Sequence, residues 1–279
     1  MTSTRILAAL LMAPTAIAAV LLLNTPWMAA VSAIVFLAAL WEWLRLAGVD
    51  DTLARTALLL LNLLLMVAIV WGSATGGGSL VLLKMLAMVG VLWWLAAALW
   101  LRRYEFAAAP DARGRILKLA AGTLAVIPAW AALCVIHANE GGEHGNRWLL
   151  LALAIVWATD TGAYFAGRRF GRRKLAPRIS PNKTVEGLAG GIVAGLVVAL
   201  AFAPLAGAQL AQLPLVAAVA VLTVLASVVG DLFESLLKRQ AGAKDSGTLI
   251  PGHGGVLDRI DSVLAALPVF AFGQIWLGF

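Results

Sequence analysis

Nine stretches of about twenty apolar residues, separated by short polar or charged segments, leave this chain few ways to fold. They lie at roughly residues 5–23, 27–46, 56–74, 79–101, 116–138, 147–168, 185–206, 208–237 and 255–278. A bilayer core of about 30 Å takes about 20 apolar residues per helix, and lipid obliges each segment to satisfy its own backbone hydrogen bonds. The runs are continuous in Leu, Ala and Val, without the alternating polarity of a membrane barrel. Only 13% of the residues are charged, about half of what a soluble domain carries. The expectation is therefore an all-α, polytopic integral membrane protein of about nine transmembrane helices. Residues 1–140 read as scaffold helices and 141–279 as the helices that carry the chemistry, within one continuous membrane domain.

The charges orient it. Nineteen of the 21 Lys and Arg residues fall in alternate inter-helix segments, leaving only Lys84 and Arg147 for the others. Basic residues accumulate in short cytoplasmic loops, so the N-terminus is expected in the cytoplasm, the C-terminus opposite. The formal net charge of +7 is a topology signal, with a role in contacting anionic headgroups; nothing points to nucleic acid. Arg5, a short apolar run and Ala16-Ile17-Ala18 also fit a cleaved leader, but the run continues through Leu23, which favours a retained helix. The one cysteine, Cys134, lies within the fifth run and reads as a small buried residue.

The first half carries little chemistry. Trp27, Trp41, Trp43, Trp71, Trp93, Trp94 and Trp100 cluster toward span ends, as amphipathic rings do at the interface. Glu42 and Lys84, also near span ends, read as structural residues that snorkel to the surface. Glu140, Glu143 and His144 lie in a short loop that reads as a solvated turn.

In the second half, ionisable residues enter the spans, where they are costly and usually mark a site. Asp160 stands inside the sixth span. Beyond it come seven basic residues, the last of them Lys183, in company with Ser180, Asn182, Thr184 and Glu186. The basic segment suits phosphates or lipid headgroups, or simply marks the cytoplasmic side. Glu186 suits the positive end of the seventh helix. Gly187, Gly191 and Gly195, with Gly190 beside them, form the small-residue stripe of closely packed membrane helices, against this chain or a second copy.

The densest pattern brackets the last loop. Asp231 and Glu234 share a helical face, Ser235 and Lys238 follow, and "GHGGVLDRIDS" sets Asp258 and Asp261 at the same three-residue spacing at the start of the ninth helix. If the eighth and ninth helices are antiparallel neighbours, Asp231, Asp258 and Asp261 converge. Clustered carboxylates repel unless cations lie among them, and Mg²⁺ takes a few carboxylates plus phosphate oxygens. Two such ions would suit phosphoryl-type displacement; one beside a monovalent cation is the other option. The glycines around His253 allow close backbone approach to an anion, and Lys238, Arg239, Lys244 and Arg259 supply charge for a polyphosphate. Each part has a plainer meaning, since Asp-x-x-Asp at a helix start is ordinarily a cap and a lone His a turn residue. Their combination at a membrane border favours a triphosphate and metal site.

The run Ser235-x-Leu237-Lys238-Arg239, four residues, Lys244-Asp245-x-Gly247, then Ile250-Pro251-x-His253-Gly254-Gly255-Val256-x-Asp258-Arg259-Ile260-Asp261 closely resembles the signature of the phosphatidate cytidylyltransferases. "DTGAYFAGRRFG" and "SPNKTVEG" resemble the same family, so the likeness runs from about Trp157 to the C-terminus. It implies joining of CTP to phosphatidic acid with Mg²⁺, giving CDP-diacylglycerol and pyrophosphate, at the cytoplasmic face of the inner membrane. On resemblance and geometry together, Asp231, Asp258 and Asp261 are assigned to metal and, with Lys244 and Arg259, to catalysis. Ser180, Lys183, Thr184, Glu186, Lys238, Arg239, His253, Gly254 and Gly255 are assigned to substrate. The bilayer is the lipid's source, and a homodimer is a further expectation. The residues alone also admit a CTP-dependent polyprenol kinase, or a cation transporter using Asp160, Asp231 and Glu234.

Overall fold

The computed structural model describes residues 2–75, 80–138, 144–249 and 254–278, with side chains from residue 12 onward except at position 75. Within them are helices α1 (Thr2–Leu22), α2 (Thr25–Leu46), α3 (Thr52–Thr75), α4 (Val81–Leu101), α5 (Ala112–Ala138), α6 (Gly145–Phe170), α7 (Val185–Phe202), α8 (Leu213–Gln240) and α9 (Leu257–Leu277). Helices α2 to α9 are long and apolar enough to cross a membrane, and the described side chains of α1 add a shorter apolar stretch, Met12–Leu22. The chain is thus an all-α, multi-pass membrane protein.

One departure is a two-stranded antiparallel hairpin, β1 (Lys174–Ala176) and β2 (Ser180–Thr184), within the basic segment. Three- and five-residue strands around Pro177 and Pro181 give too short an alternation to stand out beside helical runs. The hairpin is pinned to α8 because Ile179 buries against Leu232 and Leu236, while Arg239 Nε donates to the Ile179 carbonyl at 3.3 Å.

Helix α5, the most buried span, packs against α2, α4, α6 and α9. Its neighbours meet through small residues, since in lipid close van der Waals packing replaces the hydrophobic drive. At Gly90 of α4, a Cβ would stand 2.7 Å from Pro128 of α5 and 2.9 Å from Pro268 of α9. The glycine stripe of α7 is consumed within the chain: Gly187 and Gly191 lie against backbone of α6, and Gly195 against Thr159 and Val224.

Several tryptophans do something other than anchor the interface. Phe233 of α8, fully buried, is ringed by Trp43 of α2, stacked at 5.8 Å, and by Trp93, Trp94 and Trp100 of α4 at 5.3–6.1 Å. Trp43 Nε1 donates to the Lys118 carbonyl at 2.8 Å and Trp94 Nε1 to that of Leu264 at 2.9 Å. These rings clamp one side of α8, so its acidic residues face the hairpin and α9. Trp27 and Trp71 remain exposed, as interface rings should.

The segments rich in Lys and Arg gather at one end of the bundle. There Gln240 donates to the Tyr104 carbonyl at 2.7 Å, Arg178 pairs with Glu105 at 2.6 Å, and Arg45 donates to the Ser246 carbonyl. At the opposite end Thr25 bonds the His137 ring, and Arg147 the Leu205 carbonyl.

Candidate active site

A cavity of about 580 Å³ opens between α6, the hairpin, α7 and α8. Thr159, Asp160, Tyr164 and Arg168 line it from α6; Ser180, Asn182, Lys183 and Thr184 from the hairpin; Asp231 and Val228 from α8. Close approach of helices makes the walls. A Cβ at Gly162 would stand 2.7 Å from the Gly190 carbonyl, and one at Gly187 3.0 Å from that of Ala163.

Lys183 reaches from β2 to form an ion pair with Asp231, and Ser235 Oγ lies 3.4 Å from the other Asp231 oxygen. Asp261 enters from α9 because Gly230 lets the two helices touch: a Cβ there would collide with the Asp261 carbonyl. Asp160, Asp231, Asp261 and Lys183 lie within electrostatic reach of one another. This open cluster holds three carboxylates against one ammonium.

A second cluster is closed. Asp258 accepts from Ser246 N at 3.0 Å, Gly255 N at 2.8 Å and Lys238 Nζ at 2.7 Å. Lys238 also lies 2.6 Å from Glu234, a residue 1% exposed. Glu234 is in turn within reach of the Asp261 charge, so it links the clusters.

The three aspartates expected to converge are therefore divided, Asp231 and Asp261 in one cluster and Asp258 in the other. The helix periodicity behind that expectation brought α8 and α9 together correctly, but it did not show that Asp258 turns back onto the loop's amides. Asp160, left without a role by the sequence, occupies the third place in the open cluster. Its signal was legible as a carboxylate inside a span.

Of the expected substrate residues, Ser180, Lys183 and Thr184 line the cavity, although Thr184 also caps α7 by accepting from Gly187 N at 3.1 Å. Glu186 lies elsewhere: it accepts from Arg172 N at 3.0 Å and Arg173 N at 3.2 Å, closing the turn between α6 and β1. Lys238 and Arg239 are engaged with the closed cluster and the hairpin. Lys244 and Arg259 are exposed at the same end. Gly255 donates its N–H to Asp258, so that amide is spent on the protein's own carboxylate rather than aimed at an anion. Gly254 adopts φ +82°, a left-handed conformation that glycine takes without strain. His253 lies outside the described residues, as do Glu140 and Glu143.

Among the described residues, no group of three or more His, Cys, Asp or Glu side chains is gathered to hold a metal ion. The donor chemistry nevertheless fits Mg²⁺, a hard ion that usually takes one or two carboxylates and completes its shell with phosphate oxygens and water. Asp231 and Asp261, within reach of each other's charge, are the carboxylates that would hold such an ion.

Fold and cleft together define a multi-pass membrane protein with a charged cavity at one end of its bundle. Residues 3–276 match the model of the cytidylyltransferase family. A Pseudomonas aeruginosa protein named phosphatidate cytidylyltransferase is 41% identical over 272 residues, covering 96% of this chain and 94% of that one. A Haemophilus influenzae protein of the same name is 35% identical over 278 residues, 96% of each chain. In a third, from Bacillus subtilis, the match is 48% over 130 residues, 47% of this chain and 48% of that one. The chain belongs to the cytidylyltransferase family and is a nucleotidyltransferase.

Proposed function

We propose that this enzyme transfers the cytidylyl group of CTP to phosphatidic acid, giving CDP-diacylglycerol and pyrophosphate, at the cytoplasmic face of the inner membrane. The observation that carries the reading is the cavity in which Lys183 and Arg168 oppose Asp160 and Asp231 among membrane-spanning helices. There a water-soluble triphosphate and a bilayer lipid can meet without the acyl chains leaving the membrane. The relatives' names point to phosphatidate as substrate, and the gathering of basic segments at the cavity's end supports the cytoplasmic assignment.

An oxygen of the phosphatidic acid phosphate attacks the α-phosphorus of CTP, and the bond from that phosphorus to the bridging oxygen breaks, releasing pyrophosphate. A phosphate monoester is largely ionised near neutral pH, so no side chain need remove a proton. Lys183 and Arg168 orient the phosphates and offset their charge, and Ser180 and Asn182 offer hydrogen bonds at the rim. Bound Mg²⁺, held by Asp231 and Asp261 beside Asp160, would supply charge neutralisation on the triphosphate. The chain's own contribution is to position the two phosphates for in-line attack.

Purified protein in detergent, given phosphatidic acid, Mg²⁺ and CTP labelled at either the α- or the γ-phosphate, tests this. Lipid-phase label from α-labelled CTP alone is the expected result. Label from γ-labelled CTP would identify a kinase, and label from neither would overturn the reading.

A further inference from the structure

Helix α9 begins without a cap of its own. Val256 stands at the N-cap position with no side-chain hydrogen bond to the first turn, where orphan N–H groups ordinarily require an acceptor. The acceptor comes from the far end of the sequence. Glu42 of α2, 2% exposed, accepts at Oε2 from Leu257 N at 2.9 Å and from Ser246 Oγ at 2.9 Å. Arg45, nearly one turn further along α2, donates to the Ser246 carbonyl. Ser246, fully buried, is also the hinge of the closed cluster: its N–H donates to Asp258, and its Oγ lies 3.3 Å from Asp258 N.

The loop is cut to fit this carboxylate. A Cβ on either Gly247 or Gly255 would collide with the Glu42 carboxyl group. Those two glycines are thus explained by Glu42, not by room for a bound anion. A carboxylate at a helix N-terminus is also favoured by the positive end of the helix. Snorkelling does not describe Glu42, whose short side chain points inward to a partner more than 200 residues away in sequence.

We propose that Glu42 is a positioning residue for the transfer reaction. By capping α9 and pinning Ser246, it fixes the loop that holds Asp258 and the helical turn that sets Asp261 beside Asp231 and Asp160. Its effect on catalysis rests on the cytidylyl-transfer reading; its effect on the loop does not.

Three variants separate acceptor, charge and reach. Glu42→Ala removes the acceptor, Glu42→Gln keeps an oxygen at the same reach without the charge, and Glu42→Asp keeps the charge but is one methylene short. A misplacement of about 1 Å can cost about 100-fold in rate. Glu42→Ala and Glu42→Asp are therefore expected to lower kcat by about 10- to 100-fold per folded molecule, with KM for CTP changed by less than about threefold. Glu42→Gln should retain kcat within about fivefold of wild type, because Oε1 is buried without a partner among the described residues and loses little on becoming an amide. Hydrogen exchange at residues 244–249 and 254–258 should accelerate in Glu42→Ala and Glu42→Asp but not in Glu42→Gln. This readout needs no assay of activity and survives failure of the substrate reading. Folded Glu42→Ala with wild-type kcat, or with unchanged exchange in that segment, overturns the proposal. If Glu42→Ala proves too unstable to purify, Gly247→Ala, which pushes the carboxylate aside, should reproduce the kcat loss; wild-type kcat there is equally fatal.

Discussion

The two charged clusters at the head of α8 and α9 are built from the same residue types and differ in who completes them. In the closed cluster the acceptors of Asp258 are met by two backbone amides and Lys238, and Glu42 closes the back of the loop. Around the open cluster, Lys183 faces Asp160 and Asp231 at the wall of a 580 Å³ cavity, with the charge of Asp261 within reach of both carboxylates. Buried charge that the protein itself satisfies fixes structure, whereas charge left in excess beside a cavity calls for a ligand. The comparison thus separates residues that hold the machinery from residues that meet substrate.

The sharpest break would come at Asp231. Asp231→Asn removes a charge from the open cluster while keeping the shape, and kcat should fall by about 100- to 1,000-fold, as when a preorganised electrostatic group is lost, with thermal stability in detergent close to wild type. Next is Gly230→Val, whose side chain would drive α8 from the Asp261 backbone. Overpacking of this kind typically costs about 1–3 kcal/mol, so a lower melting temperature should accompany an activity loss of at least about tenfold. Asp258→Asn should show the reverse balance from Asp231→Asn: losing a charge-assisted bond costs about 1.5–3 kcal/mol, read as a drop in melting temperature, with a smaller fall in kcat. The smallest effect belongs to Glu105→Ala. Its pairing with Arg178 joins side chains 74% and 68% exposed, and such pairs contribute about 0.2–1 kcal/mol, so activity and melting temperature should barely move.

The fold was legible because lipid simplifies the code. Eight of the nine expected spans, those of α2 to α9, were readable from apolar run length, with ends within about five residues of the helices, and the first run matches α1, whose described side chains form a shorter apolar stretch. The hairpin escaped because its strands are too short to show a period, and its docking depends on Ile179 meeting Leu232 and Leu236 in three dimensions. Of the residues expected at the site, Asp231, Ser180 and Lys183 line the cavity; the ionisable ones drew notice because costly residues in or beside a span advertise themselves. The same rule pointed at Asp160, whereas Glu42, near a span end, read as a snorkelling structural residue because its partner is not visible in sequence. That partner is contributed by Ser246 and a bare helix N-terminus, neither of which has a pattern in sequence. Likewise the tryptophans near Phe233 look in sequence like interface anchors, because position along a span does not reveal which side of the helix is buried.

The central claim is that the open cluster, and not the closed one, receives the ligand. Mn²⁺ binding in the presence of CTP, followed by electron paramagnetic resonance on wild type, Asp231→Asn and Asp258→Asn, tests it without reliance on turnover. The account predicts that Asp231→Asn weakens Mn²⁺ binding by at least about tenfold, the scale expected when a metal site is impaired, while Asp258→Asn stays within about threefold of wild type. Equal loss in both variants, or loss in Asp258→Asn alone, would contradict it.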